Sequence, residues 1–366
     1  MSQVMTAAPA WTIPGFLEAR ENNHLFISGA DATALTHKYG SPLFVFSEPR
    51  IRANIARLQA AAKEVDRPIT FCYASKANSN MAVLKVVRDA GIDVEVNSGG
   101  ELYKALRVGF KPNQIIFNGT SKTNEELDEA VRAGIYSINV DSIYEIELVE
   151  DAVRRARSEL NSGLPPARIA LRLVPEIGTR SHLGLQTALL TSKFGISSSE
   201  VLDAFRRGLL SPELIHVCGI HIHVGSQTPD VEPFAEAFKS MWNHLMTIHR
   251  ETGHTLEHIN LGGGIPVNYL RDRSQADQLP EHEREMLGAD LEPSAVLKEA
   301  LRVARESARD AEAEHLLDRV TILLEPGRSI SLTPASSLQS CATSSAVRKL
   351  TTYGYSRMLG TTFCCR

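Results

Sequence analysis

From about residue 69 the chain alternates short runs of β-branched and aromatic residues with longer stretches whose apolar positions recur at i, i+3 and i+4. The short runs predict strands at 69–74 (ITFCYA), 92–96 (IDVEV), 114–118 (QIIFN), 135–140 (IYSINV), 168–174 (RIALRLV), 216–222 (HVCGIHI), 256–261 (LEHINL) and 320–325 (VTILLE). Segments such as MAVLKVVRDA, GELYKALRV, NEELDEAVRA and SIYEIELVEDAVRRARSEL predict helices between them. Strands that alternate with helices lie parallel and are joined by right-handed crossovers. Eight such units imply a closed (β/α)8 TIM-type barrel, with an open doubly wound sheet as the rival.

Two stretches break the rhythm, 175–199 and the run from Gly264 to Pro293. Long insertions after barrel strands carry binding or lid roles, or are surface elaborations. Ahead of the barrel, HLFISG predicts a strand, ATALTHKYG a helix, LFVF (43–46) a strand and SEPRIRANIARLQAAAKEV a helix. The tail from Ser331 is rich in Ser and Thr, contains no Asp or Glu, and has neither a strand nor a helix period. Such a segment is expected to pack poorly. The expected organisation is an N-terminal segment (1–46), a barrel (47–328) and an atypical tail (329–366), the first and last forming an incomplete β-domain.

Composition narrows the partners. The 366 residues suffice for a barrel plus a smaller unit, and 43% apolar with 22% charged residues is ordinary for a globular chain. A net charge of −4 gives no electrostatic case for nucleic acid or an anionic membrane. No apolar run approaches the roughly 20 residues of a membrane span. No basic start with an apolar core marks a secretory signal. The cysteines (Cys72, Cys218, Cys341, Cys364 and Cys365) are odd in number and scattered, which does not describe a disulfide framework. The expected compartment is the cytoplasm.

Active-site groups of such a barrel sit at the C-terminal ends of its strands, and four polar features fall there. YASKANSN sets Lys76 directly after the first strand, where desolvation lowers an amine's pKa and suits it to form an imine with an aldehyde. The bland alternative is a surface lysine. GIHIHVGSQ sets His221 and His223 on one strand face. They read as a metal pair, although no third ligand is evident, as a ring stacked on a flat cofactor, or as core histidines. Ser226 and the turn after it could then bind phosphate. NLGGGIP brings Gly262, Gly263 and Gly264, whose backbone N–H groups can converge on an anion or simply make a tight turn. LLEPGRSI ends a strand with Glu325, which either pairs with a pyridinium N–H or caps the strand in a salt bridge. Gly327 and Arg328 follow as anion donors. Barrel phosphate sites commonly use the loops after strands seven and eight, where the glycine triplet and EPGR stand. A phosphate-bearing pyridine held by a lysine imine uses all four features at once.

YASKAN, DVEVNSGGEL, HIHVGSQ, NLGGG and EPGR resemble the fold-type III pyridoxal 5'-phosphate (PLP) decarboxylases over about residues 20–330, and most of all the diaminopimelate decarboxylases. The resemblance implies a PLP-binding (β/α)8 barrel that decarboxylates an amino acid, converting meso-diaminopimelate to L-lysine and CO2. It implies that Lys76 holds the cofactor and that His223 stacks on its ring, these two being the catalytic residues. It implies that Glu325 pairs with the pyridine nitrogen. It further implies that Ser226, Gly262, Gly263, Gly264, Gly327 and Arg328 surround the phosphate, with Arg328 also near the substrate's distal carboxylate. Glu95 stands where the family often has Asp, and Ser181 and His182 are candidates for substrate contact. A homodimer is expected on the same ground, and no metal. The family continues beyond EPGR into a β-domain not recognisable in 331–366, so the expectation is a truncated chain with a frame-shifted tail. The alternatives are a PLP-binding protein with little or no turnover, a decarboxylase of another basic amino acid, a racemase on the same barrel, and a metal hydrolase using His221 and His223.

Overall fold

The computed structural model describes residues 15–20, 24–65, 67–160, 163–174, 195–270, 279–289, 291–331 and 337–338. The chain divides into two compact units, residues 51–332 and residues 1–50 with 333–366.

In the smaller unit β1 (Leu17–Ala19), β2 (Leu25–Ile27) and β3 (Ala30–Asp31) form an antiparallel sheet over a small core of Phe16, Leu17 and Ile27. Helix α1 (Ala32–Tyr39) starts where the Asp31 carboxylate accepts the N–H groups of Thr33 and Ala34. Strand β4 (Leu43–Phe44) pairs antiparallel with Ser337–Leu338 (β13), a strand that the tail's lack of period did not predict. Backbone pairing alone supports so short a strand, so periodicity cannot reveal it. The rest of 332–366 lies outside the described residues, as do Ser181 and His182.

The larger unit begins within α2 (Glu48–Lys63), at Ile51. Its strands are β5 (Ile69–Ala74), β6 (Asp93–Val96), β7 (Ile115–Phe117), β8 (Ser137–Val140), β9 (Ala167–Arg172), β10 (Ile215–His221), β11 (His258–Asn260) and β12 (Thr321–Leu324). They pair in sequence order, all parallel, and β12 returns to β5, closing the barrel. The open-sheet rival is thereby excluded. The helices are α3 (Met81–Asp89), α4 (Gly99–Val108), α5 (Asn124–Ala133), α6 (Ile143–Leu160), α7 (Val201–Gly208), α8 (Glu232–Thr252), α9 (Glu281–Leu287), α10 (Pro293–Asp310), α11 (Glu314–Leu317) and α12 (Arg328–Ser331). Of these, α9 forms inside the stretch that had been read as irregular.

Local chemistry sets the ends. Thr123 and Glu126 make a reciprocal capping box at the start of α5, and Gly134 ends that helix in the left-handed conformation. The helices bury apolar stripes against the barrel, α8 through Phe234, Phe238, Met241, Trp242 and Leu245. Several strands stop one or two residues short of their predicted ends. Asn118 and Glu325 are two of the residues just beyond, although their N–H groups still donate to Val96 O and Gly262 O.

Candidate active site

Side chains alternate across each barrel strand. Phe71, Tyr73, Val94, Val96, Ile115, Phe117, Ile138, Val140, Ile322 and Leu324 belong to the apolar core shared with the helices. The opposite parity therefore turns Glu95, Asn118, Asn139 and Glu325 into the barrel interior at its C-terminal end. The same rule turns Asn260 inward between Ile259 and Leu261.

Lys76 stands in a single 3-10 turn, Ser75–Ala77, immediately after β5. The turn is anchored by Ser75 Oγ, which donates to Glu101 Oε2 at 2.7 Å. The Lys76 side chain is half exposed, and its Nζ lies 3.9 Å from Glu95 Oε1 on fully buried Glu95. Glu95 Oε1 accepts from Asn97 Nδ2 at 2.6 Å, while Oε2 is buried without a hydrogen-bond partner. Burial pushes the Glu95 carboxyl up to about 7 against the pull of the Lys76 ammonium, and the charge of Glu325 adds to the rise.

Glu325 has the opposite fate. It is as buried as Glu95, but both its oxygens accept amide protons, from Asn118 Nδ2 at 2.9 Å and Asn260 Nδ2 at 2.8 Å. His221 Nε2 lies 3.4 Å from Glu325 Oε2. Burial alone would raise its pKa. The His221 ring, Lys76 and the Asn260 amide outweigh that and hold the carboxyl well below the usual range. Two neighbouring carboxyls whose environments push them apart mark one as a fixed anion and the other as a proton carrier near neutrality.

Burial disfavours the charged form of both histidines. Burial lowers His223 well below the ordinary imidazole range, with Lys76 and Arg172 adding to the effect. Its Nδ1 accepts the Gly263 N–H at 3.1 Å, which assigns the ring proton to Nε2 and fixes the plane. His221 is buried and likewise lowered by burial. Among the described residues no group of three or more His, Cys, Asp or Glu is placed to hold a metal ion.

Three loops interlock around this centre. Gly262 and Gly264 take φ of +65° and +109°. A Cβ at Gly263 would stand 2.5 Å from the Glu325 carbonyl oxygen, and one at Gly264 would stand 2.4 Å from that of Gly225, so only glycine fits. The Glu325 N–H donates to Gly262 O at 2.7 Å, and the Thr228 N–H to Gly264 O at 3.0 Å. Ser226 lies between Gly225 and Gln227, both at positive φ. Gln227 Oε1 accepts from Arg328 Nη1 at 3.4 Å and from the Val267 N–H at 3.1 Å. Gly327 packs on Ala74 and Ala77, which flank the Lys76 turn, and the Ala74 N–H donates to Pro326 O at 3.1 Å.

Lys76, Glu95, His221, His223, the glycine triplet, Glu325 and the Gly327–Arg328 turn thus converge on one barrel mouth. Sequence reading missed Asn118, Asn139, Asn260 and Arg172. Their signal was present: each is the inward-parity polar residue at the end of a predicted strand.

This donor set fits PLP: an amine for the aldehyde, a buried carboxylate for the ring nitrogen, and the backbone N–H groups of Gly264 and Gly327 for the phosphate. The free Oε2 of Glu95 leaves one buried acceptor for a further donor. Fold and site together define the class, a (β/α)8 barrel equipped to hold PLP. Residues 52–332 match the family model "Pyridoxal-dependent decarboxylase, pyridoxal binding domain", and the chain belongs to that family, whose cofactor is PLP.

The chain is 31% identical over 316 residues to a diaminopimelate decarboxylase of Methanocaldococcus jannaschii, covering 85% of this chain and 65% of that one. It is 33% identical over 316 residues to that of Methanothermobacter thermautotrophicus, covering 86% and 66%. It therefore spans just under two thirds of these relatives' length. Among solved structures, M. jannaschii diaminopimelate decarboxylase in co-complex with L-lysine superposes with a TM-score of 0.70 at 31% identity, covering 87% of this chain and 68% of that one. The Helicobacter pylori enzyme complexed with L-lysine gives 0.68 at 27%, covering 81% and 66%. Among the described residues no helix is long and apolar enough to cross a membrane.

Proposed function

We propose that this chain decarboxylates meso-diaminopimelate to L-lysine and CO2, using PLP. The observation that carries the reading is the meeting of Lys76, ionised Glu325 and three glycine-bearing loops at one barrel mouth, in a chain similar over 316 residues to diaminopimelate decarboxylases. Bound PLP supplies an aldehyde for an amine and a ring that accepts an electron pair.

The chain's own residues do the rest. Lys76 would hold the cofactor through its aldehyde, for which its ammonium must first lose a proton. Glu95, 3.9 Å away and titrating near neutrality, is the group placed to take it. Glu325, held as an anion by its neighbours, would take the ring N–H. His223, its plane fixed by Gly263, would cover the ring. Ser226 and the N–H groups of Gly264, Gly327 and Arg328 would bind the phosphate, with Gly262 and Gly263 shaping the turn while their own N–H groups are held by Asn260 and His223, and Arg328 would also attract the substrate's distal carboxylate. The working form is a cytoplasmic homodimer.

The test measures CO2 and L-lysine released from meso-diaminopimelate by PLP-loaded wild type and Lys76→Ala, with L-ornithine and L-arginine as competing substrates. Release by wild type alone is expected, fastest from meso-diaminopimelate. Silent but PLP-loaded wild type leaves the binding-only reading, and release by Lys76→Ala refutes the assignment.

A further inference from the structure

The buried amides behind Glu325 form a directed chain. Ser137 Oγ donates to Asn139 Oδ1 at 3.2 Å, and Asn139 Nδ2 donates to Asn118 Oδ1 at 2.5 Å. Asn118 then has only its Nδ2 to offer, which donates to Glu325 Oε2 at 2.9 Å. On the other side the Gly262 N–H donates to Asn260 Oδ1 at 2.9 Å, leaving Asn260 Nδ2 for Glu325 Oε1 at 2.8 Å. Every amide in the chain is oriented by its neighbour, and all are buried. The backbone under them is clamped as well. Lys122 Nζ, fully buried, donates to Gly119 O and Asn139 O at 2.7 Å each and to Glu145 Oε1 at 2.8 Å. One ammonium thus ties together the strand ends that carry Asn118 and Asn139.

The geometry points to Asn118 and Asn139 as positioning residues that fix where the proton sits between Glu325 and the cofactor's ring nitrogen. This rests on the reading that Glu325 faces that nitrogen. A carboxyl oxygen that accepts an amide N–H cannot carry its own proton along that line. With one donor on each oxygen, the shared proton is driven onto nitrogen, and the ring is kept as the stronger electron acceptor. Loss of the Asn118 donor lets the proton move back to the carboxyl. Loss of the Asn139 donor leaves Asn118 Oδ1 without its partner, which loosens the amide and weakens the bond its Nδ2 donates to Glu325.

The test uses the whole chain loaded with PLP carrying a 15N ring nitrogen, and follows the 15N shift with pH. The variants are Asn118→Leu, Asn139→Leu and Glu325→Gln. Leu matches Asn in size but carries neither a donor nor a titrating group, so the directed donor is lost without a new charge. Wild type is expected to show the protonated nitrogen across the accessible range. Transfer of the proton within the pair does not depend on pH, so in Asn118→Leu the 15N shift should lie part of the way to that of the neutral nitrogen at every pH, with a smaller displacement in Asn139→Leu. Glu325→Gln should show a neutral nitrogen throughout. If Glu325→Gln leaves the nitrogen protonated, the underlying placement of Glu325 fails. If Glu325→Gln shifts it while both Leu variants match wild type, the placement stands and the amide chain is refuted.

Discussion

Replacing Glu95 with Gln should stabilise the cofactor-free protein, and by an amount that grows with pH. Burial raises the Glu95 carboxyl from 4.5 to about 7 in the folded state, against the opposing pull of Lys76. Between these values the unfolded chain has lost the proton while the folded chain keeps it, so the folded state binds more protons. Stability must then fall as pH rises through this window. Each pH unit is worth about 1.4 kcal/mol, which makes the whole window about 3 kcal/mol, fully expressed above neutrality. Gln is nearly isosteric and does not titrate. E95Q should therefore be ahead by less than about 1 kcal/mol at pH 5 and by about 3 kcal/mol at pH 8. The assay is urea unfolding of cofactor-free protein from pH 5 to 8 at constant ionic strength. With a slope of about 3 kcal/mol/M, the midpoints should part by about 1 M at the upper end. Curves that stay parallel across the range, or a wild type that gains on E95Q as pH rises, would refute the assignment of Glu95 as a buried proton carrier.

Other consequences follow from packing. Lys122→Met strands the buried Glu145 carboxylate and should cost about 3–5 kcal/mol in urea unfolding, much of it recovered in Lys122→Met/Glu145→Gln. Gly219→Ala would drive its Cβ to 2.2 Å from Nε2 of fully buried His258, for a loss of about 1–3 kcal/mol in thermal unfolding. The second change His258→Ala should return part of that loss. Gly263→Ala meets the rigid Glu325 carbonyl rather than a side chain, so circular dichroism should stay native while equilibrium dialysis shows weaker PLP retention.

How much of this was legible beforehand depends on the kind of signal. The barrel was, because eight apolar runs with helical stretches between them admit few topologies, and ITFCYA (69–74) matches its strand residue for residue. Lys76, His223 and Glu325 were legible as chemistry at strand ends. The amides were not, because Asn118 and Asn139 acquire meaning only when strands far apart in sequence bring them to the carboxylate: Asn118 is 207 residues from Glu325. The contrast between Glu95 and Glu325 was equally hidden. Both are single carboxyls at strand ends, and only the neighbours that the fold brings to each, above all His221 beside Glu325 and the amides on both its oxygens, separate a proton carrier from a fixed anion. Strand β13 escaped because two residues carry no period, and α9 because it sits inside an insertion.

The central claim is that this chain holds PLP through Lys76. The most direct measurement is borohydride reduction of the PLP-loaded protein, followed by mass mapping of the modified residue in wild type and Lys76→Ala. The account predicts an imine absorption band that reduction bleaches, with a pyridoxyl group fixed on Lys76 in wild type and none in the variant. A folded wild type that takes no label, or one labelled at another lysine, would contradict it.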